Sequence, residues 1–319
     1  MDNKLLEKMQ CGRCGGSGID LPGIDERQSQ MIPKADLICR TCGHVIPVRD
    51  GIVDTSPPED DRREQWDRVY TATSEAYSSF FTSNLEKGFR RRELLMSYYP
   101  IVRVMSRLST PLGSSLEIGS GSGTYSLLLK KLGLVREVTL LDYSLEALKA
   151  ADRLFTHFGE NCDLVLSEFG TAPFKKDAFD LTLSGGVIEH YPSDSERLSC
   201  LEAHLRYAEL AFIQAPVNSI CYWFQRALIT AIRRGWPFGY EKPVAGGEFK
   251  RLASLAGAEV MDMDFQYFGS ILVFSMPWLV RSKGIRKRGR AAESVKTDVA
   301  VLIRRCPDST TLSGEQGAL

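Results

Sequence analysis

Three glycines on alternate positions, Gly119, Gly121 and Gly123, follow directly on the apolar run Leu116-Glu117-Ile118. An amphipathic stretch, Thr124 to Leu132, begins at once after them. The order reads as strand, tight loop and helix. Glycine in such a loop permits positive φ and lets a ligand come against bare backbone. The helix start beyond it offers unpaired N–H groups and the positive end of a dipole. The dinucleotide spacing G-x-G-x-x-G is not met, because Thr124 or Ser126 stands where its third glycine belongs. The phosphate loop is not met either, because no Gly-Lys-Ser/Thr follows. A Gly/Ser linker would not be framed by a strand and a helix of ordinary length.

A second chemical constellation lies near the N-terminus. Cys11-x2-Cys14 and Cys39-x2-Cys42 are paired knuckles, each second cysteine followed by glycine (Gly15, Gly43). That spacing is a specific sign of a tetrahedral thiolate zinc site. Disulfides are the rival reading, disfavoured in a reducing cytoplasm. Cys11 to Gly18 also fits the chaperone-type repeat C-x-x-C-x-G-x-G, but the second knuckle lacks that pattern. Four thiolates close the site, which leaves His44 a bystander. Cys162, Cys200, Cys221 and Cys306 are scattered and read as apolar filler.

The elements that must position the glycine loop follow in order. Arg136 to Leu141 is a second strand ending at Asp142, about 20 residues past the glycines, where an acid meets ribose hydroxyls. Ser144 is a helix N-cap. Candidate strands fall at 115–119, 136–142, 162–167, 179–184, 209–215, 258–264 and 298–304, with helices near 124–132, 144–158, 194–207 and 247–256. This alternation marks a parallel sheet with helices on both faces.

The form E-x-G-x-G-x-G resembles motif I of class I S-adenosylmethionine (SAM) dependent methyltransferases. The segments Asp142-Tyr143-Ser144, Glu168 ahead of Pro173-Phe174, and Gly185-Gly186-Val187-Ile188-Glu189-His190 are similar to the family's later motifs. The resemblance covers about Pro111 to Arg305. It implies an α/β, doubly wound, Rossmann-like fold with a seven-stranded, mostly parallel sheet, and SAM as cofactor. The cofactor residues it implies are Glu117, Gly119, Ser120, Gly121, Gly123, Asp142, Tyr143, Glu168 and Gly185. Glu168 departs from the Asp that the family usually sets against the adenine amino group. His190, just past the fourth strand, is the candidate general base, since histidine titrates near neutral pH. The alternative for His190 is a helix-entry residue hydrogen-bonded to backbone; Glu189 is expected to hold the cofactor or its loop. Leu37 to Ile52 resembles the end of the short zinc-ribbon proteins that partner tRNA and rRNA methyltransferases. It implies zinc on Cys11, Cys14, Cys39 and Cys42.

The whole chain sets bounds. Its 319 residues leave room for one large domain and a small one. Lys plus Arg and Asp plus Glu are both 40, so no global basic field argues for nucleic acid. The N-terminus is no signal peptide and no apolar run reaches membrane-spanning length. A cytoplasmic protein is expected, with membrane contact limited to the periphery.

The expected division is a zinc-ribbon module over 1–56, a linker and helical lid over 57–110, the SAM domain over 111–305 and a disordered tail over 306–319. Trp66, Tyr70 and Tyr77 are lid candidates. Two insertions, Ser219 to Pro243 and Phe265 to Lys296, follow strands whose C-terminal ends face the crevice, and are expected to recognise the acceptor. The second is apolar and then basic (Arg281 to Arg290), which fits an anionic membrane surface as well as a buried helix with a basic loop. The acceptor expected is a small molecule, lipid-linked or a sugar, methylated on oxygen or carbon. An RNA methyltransferase using its ribbon to grip RNA is the second reading, and a non-catalytic SAM-fold regulator the third. No Asn/Asp-Pro-Pro-Tyr/Phe sequence follows the fourth strand, which argues against amino-group methylation of DNA or protein glutamine.

Overall fold

The structure is a computed structural model, and it describes residues 3–21, 36–56, 61–72, 76–245, 247–267 and 296–307. The chain opens with α1 (Asn3–Lys8) and a small antiparallel sheet of β1 (Ile19–Asp20), β2 (Leu37–Cys39) and β3 (Val45–Ile46). β4 (Val48–Arg49) and β5 (Ile52–Asp54) follow. Four helices come next: α2 (Asp61–Ala72), α3 (Ala76–Arg90), α4 (Arg92–Tyr98) and α5 (Pro100–Met105). The break before α5 falls at Pro100, whose ring suits a first helical turn and no later one.

Alternation then sets in. β6 (Leu112–Ile118), α6 (Thr124–Lys131), β7 (Val135–Asp142), α7 (Leu145–His157), β8 (Asp163–Leu166) and β9 (Leu181–Gly185) form one half. The other half is α8 (Asp194–Tyr207), β10 (Leu210–Pro216), α9 (Ile220–Arg233), α10 (Glu248–Leu255), β11 (Ala258–Tyr267) and β12 (Lys296–Arg305). The large sheet runs β11-β12-β10-β9-β6-β7-β8-β5-β4. Pairing is parallel from β10 through β5; β12 is antiparallel to both neighbours and β4 to β5. Seven strands fall where expected, and the sheet has nine. The extra two come from the N-terminal segment, where Ile52, Val53 and Asp54 pair with Leu164, Val165 and Leu166.

Each central strand splits its side chains between two faces, as period two demands. Leu140, Leu164, Leu166 and Phe212 face α3 to α7, together with Ala300 and Leu302. Leu116, Ile118, Leu141 and Val165 face the other way, as do Ala211, Ile213, Val299 and Val301. α8 and α10 cover the β9–β12 part of that second face, with Tyr207 at the end of α8 reaching the neighbouring cluster. The connection from β8 to β9 carries a single 3-10 turn, Phe169–Thr171, and no α-helix. The gap this leaves over β6 to β8 is filled by Leu5 of α1, by Met9 just after it, and by Leu37 and Ile46 of the cysteine module, all fully or almost fully buried. Met9 pairs with Phe174, and Lys4 and Lys8 hold Glu137. The small module therefore takes the place of a crossover helix.

Helix starts are written locally. Ser144 caps α7 by accepting from Ala147 N at 3.1 Å. Ser193 and Glu196 form a reciprocal capping box on α8. Arg197, fully buried on α8, gives hydrogen bonds to the carbonyls of Tyr191 and Lys242 and an ion pair of 2.5 Å to Glu248 of α10. It locks the loop before α10 under the sheet edge.

Candidate functional site

The glycine loop sits where β6 ends. Gly119, Gly121 and Gly123 have φ of 62°, 53° and 68°, a left-handed conformation that side chains rarely take. Space also excludes a Cβ at each: Val187 blocks it at Gly119, the Tyr70 hydroxyl at Gly121, and Leu140 with Phe155 at Gly123. Asp142, at the tip of β7, ties this loop down. Its Oδ2 accepts from Gly121 N at 2.7 Å, and its Oδ1 accepts from Tyr143 N and Ser144 N, both at 2.8 Å. Glu117 lies beside it, almost fully buried, and accepts from Ser126 N at 3.0 Å. Burial pushes the Glu117 carboxyl up to about 8, opposed by its Ser126 bonds, with the Asp142 charge adding to the rise. Burial raises Asp142 as well, against the pull of its three N–H donors.

A cavity of about 660 Å³ opens at these strand tips. Glu117, Gly119, Ser120, Gly121, Asp142 and Tyr143 line one side; Glu168, Gly185 and His190 lie around the rest. Gly123 does not line it, and instead lets α6 pack on Leu140 and Phe155. Ser120 Oγ is buried and has no hydrogen-bond partner among the described residues, which suits a polar group of a bound molecule. Sequence reading missed the aromatic wall of Tyr98, Tyr99 and Tyr125, and missed Gln266. The Tyr125 ring lies so close to Gly185 that a Cβ there would run into it. Tyr125 directly follows the loop, and that adjacency was the available signal.

Trp66 and Tyr70 of α2 also line the cavity, so this helix lies over the glycine loop. The side chain of Tyr77, the third lid candidate, falls outside the described residues. α2 is held by Asp67, whose Oδ1 accepts from Ser144 Oγ at 2.5 Å and from Glu146 N at 3.2 Å. A carboxylate there complements both the orphan N–H groups and the dipole of α7.

His190 closes the 3-10 turn Ile188–His190 after β9. Its Nδ1 lies 2.7 Å from the carbonyl of Tyr240. A carbonyl only accepts, so Nδ1 carries the proton, and in the neutral ring Nε2 keeps its lone pair. No partner for Nε2 occurs among the described residues. His190 thus holds a backbone carbonyl, as one of its two sequence readings expects, and its ring also lines the cavity. Trp66 packs edge-on against its ring at 5.1 Å, and Phe238 stacks behind Trp66 at 6.5 Å.

Glu189 points elsewhere. It is buried, does not line the cavity, and its Oε2 has no partner among the described residues; burial raises its carboxyl well above the usual range. Gln214 donates to Gln266 at 3.2 Å across the sheet, and Asp298, paired in register with Gln266, is pushed by burial up to about 6.

The four cysteines of the N-terminal module converge, with all Sγ atoms within 4.8 Å of one another. Cys11 and Cys42 are 3.8 Å apart, and Cys14 and Cys39 3.6 Å. Zinc–sulfur bonds of about 2.3 Å at tetrahedral angles set sulfurs about 3.8 Å apart. The four thiols share protons: N–H groups of Cys42 and Thr41 hold the Cys39 thiol down at about 6, while the neighbouring thiols help push Cys14 up to about 12. The donor set and its spacing fit zinc. His44 does not belong to the group.

Of the insertions, Ser219 to Pro243 forms α9 and a returning loop that reaches His190 through Tyr240. Most of the second, including Arg281 to Arg290, lies outside the described residues, as does the tail from 308. Among the described residues no helix is long and apolar enough to cross a membrane.

Residues 116–207 match the family model of the methyltransferase domain, a stretch that runs from within β6 to the end of α8 and includes the glycine loop, Asp142 and His190. Over these residues, less than a third of the chain, the sequence is similar to that methyltransferase domain. No curated protein matches the chain in sequence. Among solved structures, it is similar to magnesium protoporphyrin IX methyltransferase of Synechocystis PCC 6803 with bound SAH. That likeness has 12% identity and a TM-score of 0.46, over 76% of this chain and 94% of that one. A SAM-dependent methyltransferase of Methanosarcina mazei is similar at 15% identity and a TM-score of 0.46, over 66% of this chain and all (100%) of that one. Neither likeness bears on the acceptor.

Proposed function

We propose that this enzyme methylates an oxygen or carbon of a small, partly apolar acceptor, free or linked to a lipid or sugar. The observation that carries this reading is the cavity itself. One wall is glycine loop and acids; the other is aromatic, with a single histidine at its edge. Such a shape suits a ring-bearing or apolar acceptor held by few polar groups.

SAM, when bound, supplies a methyl group already activated on a sulfonium. Glu117, Gly119, Ser120, Gly121, Asp142, Tyr143, Glu168 and Gly185 would hold it, with Gly123 setting the helix behind the loop. The chain's own work is alignment and exclusion of water. α2, closed over the loop by Tyr70 and Trp66, keeps solvent out. His190, with Nδ1 fixed on Tyr240, would take a proton at Nε2 from an acceptor hydroxyl. Cys11, Cys14, Cys39 and Cys42 would hold zinc in a structural role, since four thiolates leave no open position.

An RNA acceptor is the second reading, favoured by a cleft of about 910 Å³ between the cysteine module and the sheet, lined in part by Arg13, Arg49, Arg63 and Lys149. Asp50 and Asp54 on the same cleft weaken its pull on phosphate. Labelled methyl transfer into cell extract distinguishes the two. Label in organic-soluble, ribonuclease-resistant material is expected; label lost on ribonuclease treatment would establish the RNA reading instead.

A further inference from the structure

α9 is anchored on one side only. Tyr222 is buried, Arg226 donates to the Tyr222 hydroxyl and to the Glu241 carbonyl, and the Arg226 guanidinium lies over Trp236 at 4.9 Å. The outward side shows Ile220 at 88% exposure, Phe224 at 60%, and Trp223 and Leu228 at 49% each. Ala227 and Ala231 continue the same stripe over the next turns. These positions recur at three- and four-residue spacing, so they form one face. Four large apolar side chains share this face, and each is about half exposed or more.

Charge says what covers it. From Ser219 to Tyr240 the sequence has Arg226, Arg233 and Arg234 and no acid. The sequence that connects β11 to β12, whose ends stand next to the end of β10, has no acid from Phe268 to Ala292 and six Lys or Arg between Arg281 and Arg290. In a chain with no net charge, α9 and its return loop thus carry arginines and no acid. Size argues against a second copy. A helix of 14 residues is about 21 Å long and its stripe about 10 Å wide. The area of roughly 200 Å² falls far below the ~800 Å² per partner of a stable interface.

We propose that the outward face of α9 docks in the headgroup layer of an anionic lipid bilayer. Aromatic and aliphatic side chains on one face with arginines nearby are what an interfacial helix requires. The loop after α9 reaches the cavity mouth, since Phe238 stacks on Trp66 and Tyr240 holds His190. Docking would therefore set the cavity mouth at the membrane surface. The further step, that the acceptor is drawn from the bilayer, rests on the functional reading above; the docking itself does not.

The test is flotation of the full-length protein with vesicles of phosphatidylcholine and phosphatidylglycerol at 7:3, beside vesicles of phosphatidylcholine alone. The wild type is expected to float with the anionic vesicles, at least ten times more than with the neutral ones at low salt. Ile220→Ser/Phe224→Ser is expected to lose at least tenfold of that binding while SAM affinity, read by calorimetry, stays the same. Equal flotation of variant and wild type, or no flotation of either, overturns the proposal. So does a wild-type dimer in solution that the double substitution splits into monomers. Flotation is read without acceptor or turnover, so a failure of the methyl-transfer reading would leave it untouched.

Discussion

The hydroxyl of Ser144 donates a 2.5 Å hydrogen bond to Oδ1 of Asp67, which fixes the lid helix α2 to the first turn of α7. The same oxygen accepts from Glu146 N, so a single carboxylate both caps α7 and holds the cavity's cover. Asp67→Ala removes both bonds, at a cost of about 1–3 kcal/mol. The expected outcome is faster proteolysis around 57–75 and about tenfold weaker SAM binding, with the main unfolding transition little changed. Unaltered SAM affinity would show that the cover contributes nothing to cofactor binding.

A side chain at Gly121 collides with the Tyr70 hydroxyl and needs φ of 53°. Gly121→Val is therefore expected to abolish SAM binding, and Gly121→Ala to weaken it at least tenfold. Adding Tyr70→Phe to Gly121→Ala takes away the atom nearest the new methyl. Partial recovery of affinity by calorimetric titration is expected. No recovery would assign the loss to backbone strain or to the ligand's own contact with Gly121.

What could be read from sequence followed from local signals. The strand into Gly119, the acid at Asp142 and the Ser144 cap each sit within a few residues of the feature that reveals them. Pairing of Ile52 with Leu164 could not be read, because a three-residue strand has no periodicity and its partner lies over a hundred residues away. The covering of Leu116 and Val165 by Leu5 and Met9 was hidden for the same reason. α9 was hidden differently. Its aromatic and β-branched residues are weak helix formers, and its apolar stripe faces outward, against the usual inference from amphipathicity. In the site, the glycines, Asp142 and His190 were legible as types at a spacing. Asp67, Tyr98, Tyr99 and Gln266 were not, because only the folded chain brings them to the cavity.

Cys39→Ser bears on more than the cysteine module. Leu5, Met9, Leu37 and Ile46 cover the β6–β8 face, and each buried side chain of this size is worth about 1.5–3 kcal/mol. Loss of metal is expected to lower the unfolding temperature of the whole chain in one transition, alongside loss of zinc by metal analysis. A methyltransferase sheet that melts at the wild-type temperature would show that the module is an independent appendage. Wild-type protein purified under reducing conditions without zinc or a substitute ion would remove the metal assignment.

Glu117 makes stability depend on pH. Its folded carboxyl, at about 8, lies above the ordinary 4.5. The native state therefore holds a proton that the unfolded state has released between these values, and stability falls as pH rises through them. The full contribution is present below about 4.5 and gone above about 8, an effect of several kcal/mol. Asp298, pushed up to about 6, acts with the same sign over a narrower window. Urea midpoints without added cofactor should fall from pH 5 to pH 8. In Glu117→Gln, which cannot ionise, that slope should become shallower, with Glu189 and Asp298 still acting in the same direction. An unchanged slope would mean that Glu117 is already ionised in the folded chain.

His190 carries the last expectation, and its test must separate a base from a bracket. Nδ1 is committed to the Tyr240 carbonyl, so only Nε2 can take a proton. General base catalysis of this kind contributes about 10²–10⁴ in rate. His190→Ala should lower kcat for labelled methyl transfer at least a hundredfold while leaving SAM affinity as it was. Because it also frees Tyr240, that loss alone would fit displacement of the 234–243 loop. The pH profile separates the two. A base must be unprotonated to act, so the wild type should lose rate on the acid side, and the variant's residual rate should lack that limb. His190→Asn, whose side-chain amide can still donate to the Tyr240 carbonyl, should be as slow as His190→Ala. Should His190→Asn instead restore the rate, the ring serves to hold the loop, and the proton leaves by another route.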